Sequence, residues 1–364
     1  NFLVRDQLRR GPRTLRILTD SVRNSNKDQT RVNGSSGGDS PTRSVERLTQ
    51  VFENWHILLE GPEGQRPIDI VLADLEAIRG NLRLAASNPA QSAALLPQLL
   101  SNLTRNNSRL PQALRKIVND AESDFRSEAT DATLAEMNRA LNNTITQVCR
   151  ATITDFFPFS NSQRQVPTAD FGRFFGPGGD MDVYYNTYLA PHVLATGDGL
   201  AVDPNSPLAD RLSTAAIRQF DRAIKIRRAF FGAGGTNPEV QITISHEASH
   251  PTIEQAHLEI NGVNTITAAG DPPKTVTWPG AGASTTLQVF PTLDRNSTME
   301  FRGGQWTFVN FMRSAASTQR TGNTVRATFN VGGRSISYDI GFNTASNPFT
   351  MPELSEFSCP QSLD

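Results

Sequence analysis

The sequence contains little lysine and little cysteine, and both shortages exclude classes of protein. Only four of its 35 basic residues are lysines, and none of the four follows a glycine. Because a phosphate-binding P-loop requires Gly-Lys-Ser/Thr, the chain has no nucleotide site of that kind. Its two cysteines, Cys149 and Cys359, are too few for a disulfide-built scaffold and do not form a CxxC pair. They predict either two buried thiols or one long-range disulfide.

Net charge and long apolar runs are also lacking. The formal charge is −1, so there is no net field to attract nucleic acid. No apolar run approaches the roughly 18–20 residues of a membrane-spanning helix, and residues 1–6 do not resemble a signal peptide. The initial Asn suggests a piece of a longer protein. The 364 residues are enough for two or three domains.

The first part of the chain predicts helices. Residues 1–42 combine a basic stretch with a Gly/Ser-rich run, which predicts a basic helix and a flexible linker. From 43 to 155, apolar residues recur every three or four positions, and this spacing predicts an antiparallel bundle of about five helices. Pro97 predicts a kink or a late start in the fourth helix.

Residues 156–235 are rich in aromatic residues and predict a helical region around a Gly-Pro-Gly-Gly turn. Asp182 follows this turn, where it could cap a helix over 183–189. A longer helix is predicted over 208–231, with Gly232 at its C-cap position.

From residue 236 the apolar period drops to two. Val240, Ile242 and Ile244 alternate with polar residues, and Asn261-Gly262 and Gly332-Gly333 each separate two strand-like runs. About eight short strands over 236–345 predict an antiparallel β-sandwich, interrupted by one short helix near 308–315. Residues 346–364 are predicted to form an extended tail. The fold class expected is therefore α+β multidomain, with an N-terminal all-α helical bundle followed by a C-terminal antiparallel β-sandwich.

One catalytic pattern is present, His246-Glu247-Ala248-Ser249-His250, which matches the H-E-x-x-H motif of zinc metalloproteases. That motif works on a helix, where both imidazoles reach one ion. Here a strand pattern precedes it and Pro251 follows it, which disfavours a helix. On a strand the two histidines would lie about 13 Å apart. We predict a strand and loop, and keep a zinc hydrolase on His246, Glu247 and His250, with His257 as a further ligand, as the alternative function.

A series of motifs lies in order between residues 149 and 345. The series comprises Phe157, Pro158 and Phe159; Asp170, Phe171, Phe174, Phe175, Gly176, Pro177, Gly178, Gly179 and Asp182; Arg227, Phe230 and Phe231; and Trp278 and Trp306. In these motifs the chain resembles the C-terminal periplasmic region of the TssM (IcmF) family of type VI secretion systems. It departs from the family pattern at Gln305, where proline is expected. We interpret the aromatic motifs as packing residues and not as a ligand site.

The resemblance implies a non-catalytic scaffold without a cofactor. Such a chain would be the periplasmic part of an inner-membrane protein that binds the outer-membrane lipoprotein TssJ, pairs with TssL in the inner membrane and self-associates in a trans-envelope complex. An oxidising periplasm would raise the case for a Cys149–Cys359 disulfide without deciding it. We place the lipoprotein contact on loops within 263–300 or 315–335. A glycan-binding module using Trp278 and Trp306 is a third hypothesis.

Overall fold

The computed structural model describes residues 57–85, 89–232, 234–344 and 347–364. It divides into two compact units, one ending at Thr133 and one running from Leu134 to Asp364. The basic helix and linker predicted over 1–42 lie outside the described residues, as does most of the first apolar stripe. The five-part division of the chain stays a prediction.

The first unit is helical. After a short 3-10 turn at Ile57–Leu59, α1 spans Pro67–Ala85 and α2 spans Pro89–Asn107. Both helices begin at a proline, whose missing N–H costs nothing at the first helical position. Because α2 already starts at Pro89 and continues through Pro97, the late start predicted there is wrong. The buried residues of this unit form a small core of their own: Leu58, Val71, Ile78, Leu100, Leu103, Leu110, Leu114 and Val118.

The next helix, α3, spans Gln112–Leu141 and corrects the expected helix count. The two apolar stripes at 110–125 and 134–148 predicted separate helices, but one continuous helix carries most of both. The reason is that residues 126–133 contain neither proline nor glycine, so nothing interrupts the helix between the stripes. Leu114 and Val118 belong to the first core, whereas Leu134 and Leu141 belong to the core of the second unit.

Short helices occupy the next part of the second unit. They follow a π turn at Asn142–Thr146, and their bounds are Gln147–Thr152 (α4), Thr168–Phe175 (α5), Asp180–Tyr184 (α6) and Thr214–Phe230 (α7). A hairpin of β1 (Val193–Thr196) and β2 (Gly199–Val202) precedes α7.

Helix α7 is shorter than the sequence predicted. It begins at Thr214 and not at 208, because the Ser213 hydroxyl accepts a hydrogen bond from the Ala216 N–H and caps the helix there. The helix is capped at its other end by Phe231, and it is Gly234, not Gly232, that has a positive φ, of 76°.

Two antiparallel sheets follow. Their strands are Val240–Ser249 (β3), Ile253–Ile260 (β4), Val263–Thr267 (β5), Lys274–Trp278 (β6), Ser284–Pro291 (β7), Ser297–Arg302 (β8), Ser317–Thr321 (β9), Thr324–Val331 (β10) and Arg334–Phe342 (β11). One sheet has the order β6-β3-β11-β10-β9 and the other β5-β4-β7-β8. A helix, α8 (Thr307–Arg313), lies between β8 and β9. The chain therefore contains helices and antiparallel sheets, and the α+β prediction is confirmed at that level.

Both predicted hairpins are present. Asn261 and Gly262 have φ angles of 47° and 87°, and Gly332 and Gly333 have 57° and 78°. Positive φ at both central residues is what a type I′ turn requires. Strands β8 and β9 were not predicted. For β9 the reason is that it is exposed at every position and has no apolar residue to alternate.

The buried side chains of the second unit form one hydrophobic core. It contains residues of the helices from α3 to α7, of both sheets, of α8 and of the segment after residue 347. The tail over 346–364, predicted as extended, includes a one-turn helix, α9, at Glu353–Glu356. Within the described residues, no helix has the length and apolar character that crossing a membrane demands.

Candidate functional site

The aromatic residues of the sequence motifs lie together in the core of the second unit. The Phe171 ring is fully buried, and its centroid lies 5.1 Å from that of Phe230 and 5.0 Å from that of Trp306. Trp306 in turn lies 4.8 Å from Trp278. The remaining rings of the motifs are buried beside these: Phe157, Phe159, Phe174, Phe175 and Phe231. Together these rings join the helical region to β6 and to the start of α8.

Both tryptophans have their polar atoms satisfied inside the protein. The indole N–H of Trp306 donates to the Val166 carbonyl at 2.7 Å, and that of Trp278 donates to the Gln305 carbonyl at 2.7 Å. Neither ring is exposed to solvent. A sugar needs an open aromatic face for stacking, so the glycan-binding hypothesis on these two residues is contradicted.

The Gly-Pro-Gly-Gly turn between α5 and α6 is built for close backbone contact. A Cβ added at Gly176 would lie 2.5 Å from the Gly172 carbonyl oxygen and 3.0 Å from that of Thr236, and one at Gly179 would lie 2.4 Å from the Arg173 carbonyl oxygen. No side chain fits at such distances, so space alone requires glycine at both positions.

Asp182 connects this turn to α7. Its carboxylate accepts a hydrogen bond from the Gly178 N–H at 2.9 Å and forms an ion pair with Arg227. The expected role as an N-cap is wrong, because α6 begins at Asp180 and Gly179 is its N-cap. Burial raises the pKa of Asp182, but the hydrogen bond from Gly178 and the Arg227 guanidinium outweigh it and hold the pKa below its usual value of 3.8.

The remaining motif residues are structural or exposed. Asp170 pairs with Arg173 at 3.3 Å on the surface of α5. Pro158 follows a cis peptide bond after Phe157, and Pro177 is half-buried in the turn.

Cys149 and Cys359 form a disulfide in the structure, with Cα atoms 5.7 Å apart. The bond attaches the segment after residue 347 to α4. The same segment is held by the Thr146 hydroxyl, which donates to the Pro360 carbonyl at 2.8 Å, and by an ion pair between Arg222 and Glu356 at 2.6 Å. The tail is thus part of the folded unit.

The H-E-x-x-H residues do not form a metal site. His246 and Glu247 lie on β3, which runs to Ser249, so the predicted strand is confirmed. Glu247 pairs with Arg326 at 2.8 Å, and the ring of His250 bonds the Thr252 hydroxyl at 2.9 Å. Among the described residues, no cluster of three or more His, Cys, Asp or Glu side chains is placed to hold a metal ion. The extended backbone contradicts the helical arrangement that the zinc hypothesis needs.

The two intervals expected to carry a protein contact meet at one end of the sheets. The loop from 292 to 296, in the first interval, follows β7, and the Gly332-Gly333 turn, in the second, joins β10 to β11. Arg334 beside that turn forms an ion pair with Asp294 in the loop. Sequence reasoning could not find this meeting point, because it is set by the pairing of strands far apart in the chain.

The architecture is α+β, and the aromatic residues of the motifs are buried packing residues. Residues 242–344 match the model of a family described as type VI secretion protein IcmF C2-like domain. The component TssM1 of the type VI secretion system of Pseudomonas aeruginosa (strain PAO1) is 26% identical over 320 residues. That match covers 84% of this chain, which spans 28% of the relative's length.

Solved structures show the same fold. The C-terminal domain of the T6SS protein TssM from EAEC superposes with a TM-score of 0.56 at 14% identity, covering 64% of this chain and 98% of that chain. A type VI membrane complex gives a TM-score of 0.63 at 14% identity, covering 88% of this chain and 76% of the other. A type VI secretion system membrane core complex gives a TM-score of 0.59 at 14% identity, covering 91% of this chain and 67% of the other. The resemblance to the TssM (IcmF) family found in the sequence is confirmed.

Proposed function

We propose that this chain is a non-catalytic, periplasmic part of a TssM-type protein in a type VI secretion membrane complex. In this role it binds the outer-membrane lipoprotein TssJ and connects it to the inner-membrane complex, where the full-length protein pairs with TssL and self-associates. The observation that carries the proposal is the IcmF C2-like domain at 242–344, within a chain whose fold is similar to that of a solved type VI membrane complex.

The packing of the second unit supports a scaffold. We infer that its two sheets form the predicted β-sandwich, because the Tyr338 hydroxyl on β11 bonds the Thr267 hydroxyl on β5, in the other sheet, at 3.0 Å. We also infer that α1, α2 and α3 belong to the predicted helical bundle. The motif aromatics are enclosed in the core, so their role is to hold the helical region on the sheets and not to bind a ligand.

A periplasmic location fits the Cys149–Cys359 disulfide, since such bonds persist in oxidising compartments. Mass spectrometry of the chain after alkylation in whole cells, without a reductant, tests this. Alkylation of neither cysteine is the expected result, and alkylation of both would count against a periplasmic location.

Binding to the lipoprotein is tested directly by calorimetry of the full chain with purified TssJ from the same type VI system. A saturable one-site isotherm is expected. A lipoprotein from an unrelated secretion system serves as the control and should give no heat beyond dilution. Absence of binding to TssJ at micromolar concentrations would refute the proposal.

A further inference from the structure

Three loops meet at one end of the two sheets and form a single surface, which we call the end surface and define as residues 250–252, 292–296 and 332–334. The His250 N–H donates to the Ser335 carbonyl at 2.8 Å, and the Thr292 N–H donates to the Thr252 carbonyl at 3.0 Å. The loops are therefore joined through their backbones.

Arg334 holds the end surface in one arrangement. Its guanidinium forms an ion pair with Asp294 and donates to the Thr252 hydroxyl at 3.1 Å and to the Gly332 carbonyl at 3.3 Å. One largely buried side chain thus contacts all three loops. Loops fixed in this way lose little conformational freedom when a partner binds.

Leu293 is the second residue of the 292–296 loop and is 92% exposed. The other exposed large apolar residues in the described parts of the chain range from 40% to 55%. Leaving a leucine this open in water gains nothing for folding, and a partner that covers it would gain free energy from its burial.

The charge of the end surface is positive beside this leucine. Asp294 is neutralised by Arg334, whereas Arg295 forms no ion pair with any described residue. The whole 292–296 loop is exposed, so the Arg295 charge faces solvent next to Leu293. A matching partner offers an apolar pocket with an acidic rim.

We propose that the end surface is the contact for a protein partner with an acidic-rimmed apolar pocket, with Leu293 inserted in the pocket and Arg295 at its rim. This inference rests on the proposed function, which supplies the outer-membrane lipoprotein as the partner to test. It replaces the two alternative intervals, 263–300 and 315–335, by one surface to which both contribute.

The test compares Leu293→Ser with Leu194→Ser in calorimetric titrations of the full chain with purified TssJ. Leu194 is 47% exposed on the β1–β2 hairpin, which belongs to neither of the two larger sheets, and serves as the control leucine. Leu293→Ser is expected to weaken binding by about tenfold or more, and Leu194→Ser by less than about twofold. Because Leu293 is almost fully exposed, its substitution should leave the thermal midpoint unchanged.

Charge is tested separately with Arg295→Glu. The wild-type affinity is expected to fall with added salt, and Arg295→Glu is expected to weaken binding and reduce that salt dependence. Arg295→Lys, which keeps the charge, should restore most of the affinity.

The outcomes separate this inference from the proposed function. Wild-type binding that Leu293→Ser leaves unchanged would overturn the end surface while the scaffold role stands. No binding by the wild-type chain would overturn both. Leu293-dependent binding to phosphatidylethanolamine/phosphatidylglycerol vesicles without lipoprotein would overturn the protein partner and make this surface a membrane contact.

Discussion

Removal of the Cys149–Cys359 bond is expected to destabilise the unit that spans residues 134–364. The two cysteines are 210 positions apart, so the bond closes most of that unit into one loop. In the chain-entropy model, closing a loop of this length lowers the conformational entropy of the unfolded chain by about 18 cal/mol/K. This loss destabilises the unfolded state by about 5 kcal/mol at 25 °C. Native disulfides usually contribute roughly 2–5 kcal/mol, so the loss should fall in that range.

The assay is urea and thermal unfolding of the wild-type chain and of the Cys149→Ala/Cys359→Ala variant, each with and without dithiothreitol. The variant and the reduced wild type should both melt roughly 5–15 °C below the oxidised wild type, given the size of the unit. The variant should not respond to dithiothreitol, which separates loss of the bond from other effects of the reductant.

Two results would refute this reasoning. One is an oxidised wild type that melts within about 1 °C of the reduced protein, because the loop-closure contribution would then be absent. The other is a thiol titration that finds two free cysteines in the native, unreduced chain.

Three further predictions concern the buried motifs. Gly176→Ala should lower the free energy of unfolding by about 3 kcal/mol or more, since its Cβ would lie 2.5 Å from a carbonyl oxygen. The control Gly235→Ala, whose Cβ would meet no atom closer than 3.8 Å, should change it by less than about 1 kcal/mol. Equal urea midpoints for the two variants would contradict this. Asp182→Asn should cost about 2 kcal/mol at pH 7. The pKa of this carboxyl is lowered in the folded state, so the stabilisation it provides is present above pH 3.8 and is lost as the pH falls through the folded pKa. The variant should therefore lose less stability than the wild type in that acid range. Parallel profiles of stability against pH would disprove the role. Trp306→Phe should cost about 1–3 kcal/mol by leaving the Val166 carbonyl unpaired, and an unchanged midpoint in guanidinium would show that water replaces the indole N–H.

Local patterns in the sequence predicted much of the sheet region. Alternation at Val240, Ile242 and Ile244 specifies which face of β3 is buried, and two glycine-containing turns specify the hairpins. These signals act over a few residues, so they can be read without knowing the fold. The same alternation placed His246 and Glu247 on a strand, which is why a motif match alone was a poor guide to chemistry.

Features that depend on distant partners could not be predicted in this way. The tail after residue 347 has no regular apolar period, yet Phe357 and Leu363 are buried beside residues more than a hundred positions earlier. The length of helix α3 was wrongly predicted for a related reason. Its two apolar stripes face different cores, and the sequence shows the change of stripe without showing that the backbone continues.

The division between buried motif and exposed loop also explains why the family resemblance names the protein class but not the contact. The motif rings of Phe171, Phe230 and Trp306 are held by packing on every side, so almost any change there is felt as lost stability. A contact surface must instead be exposed and free of such packing, and exposed positions carry no periodic signal. Leu293 shows the consequence, because in the sequence it is one more leucine near a strand end, and only its 92% exposure marks it as unused by the fold. A residue that the fold does not use, on loops that Arg334 holds rigid, is where binding should be sensitive to substitution while stability is not.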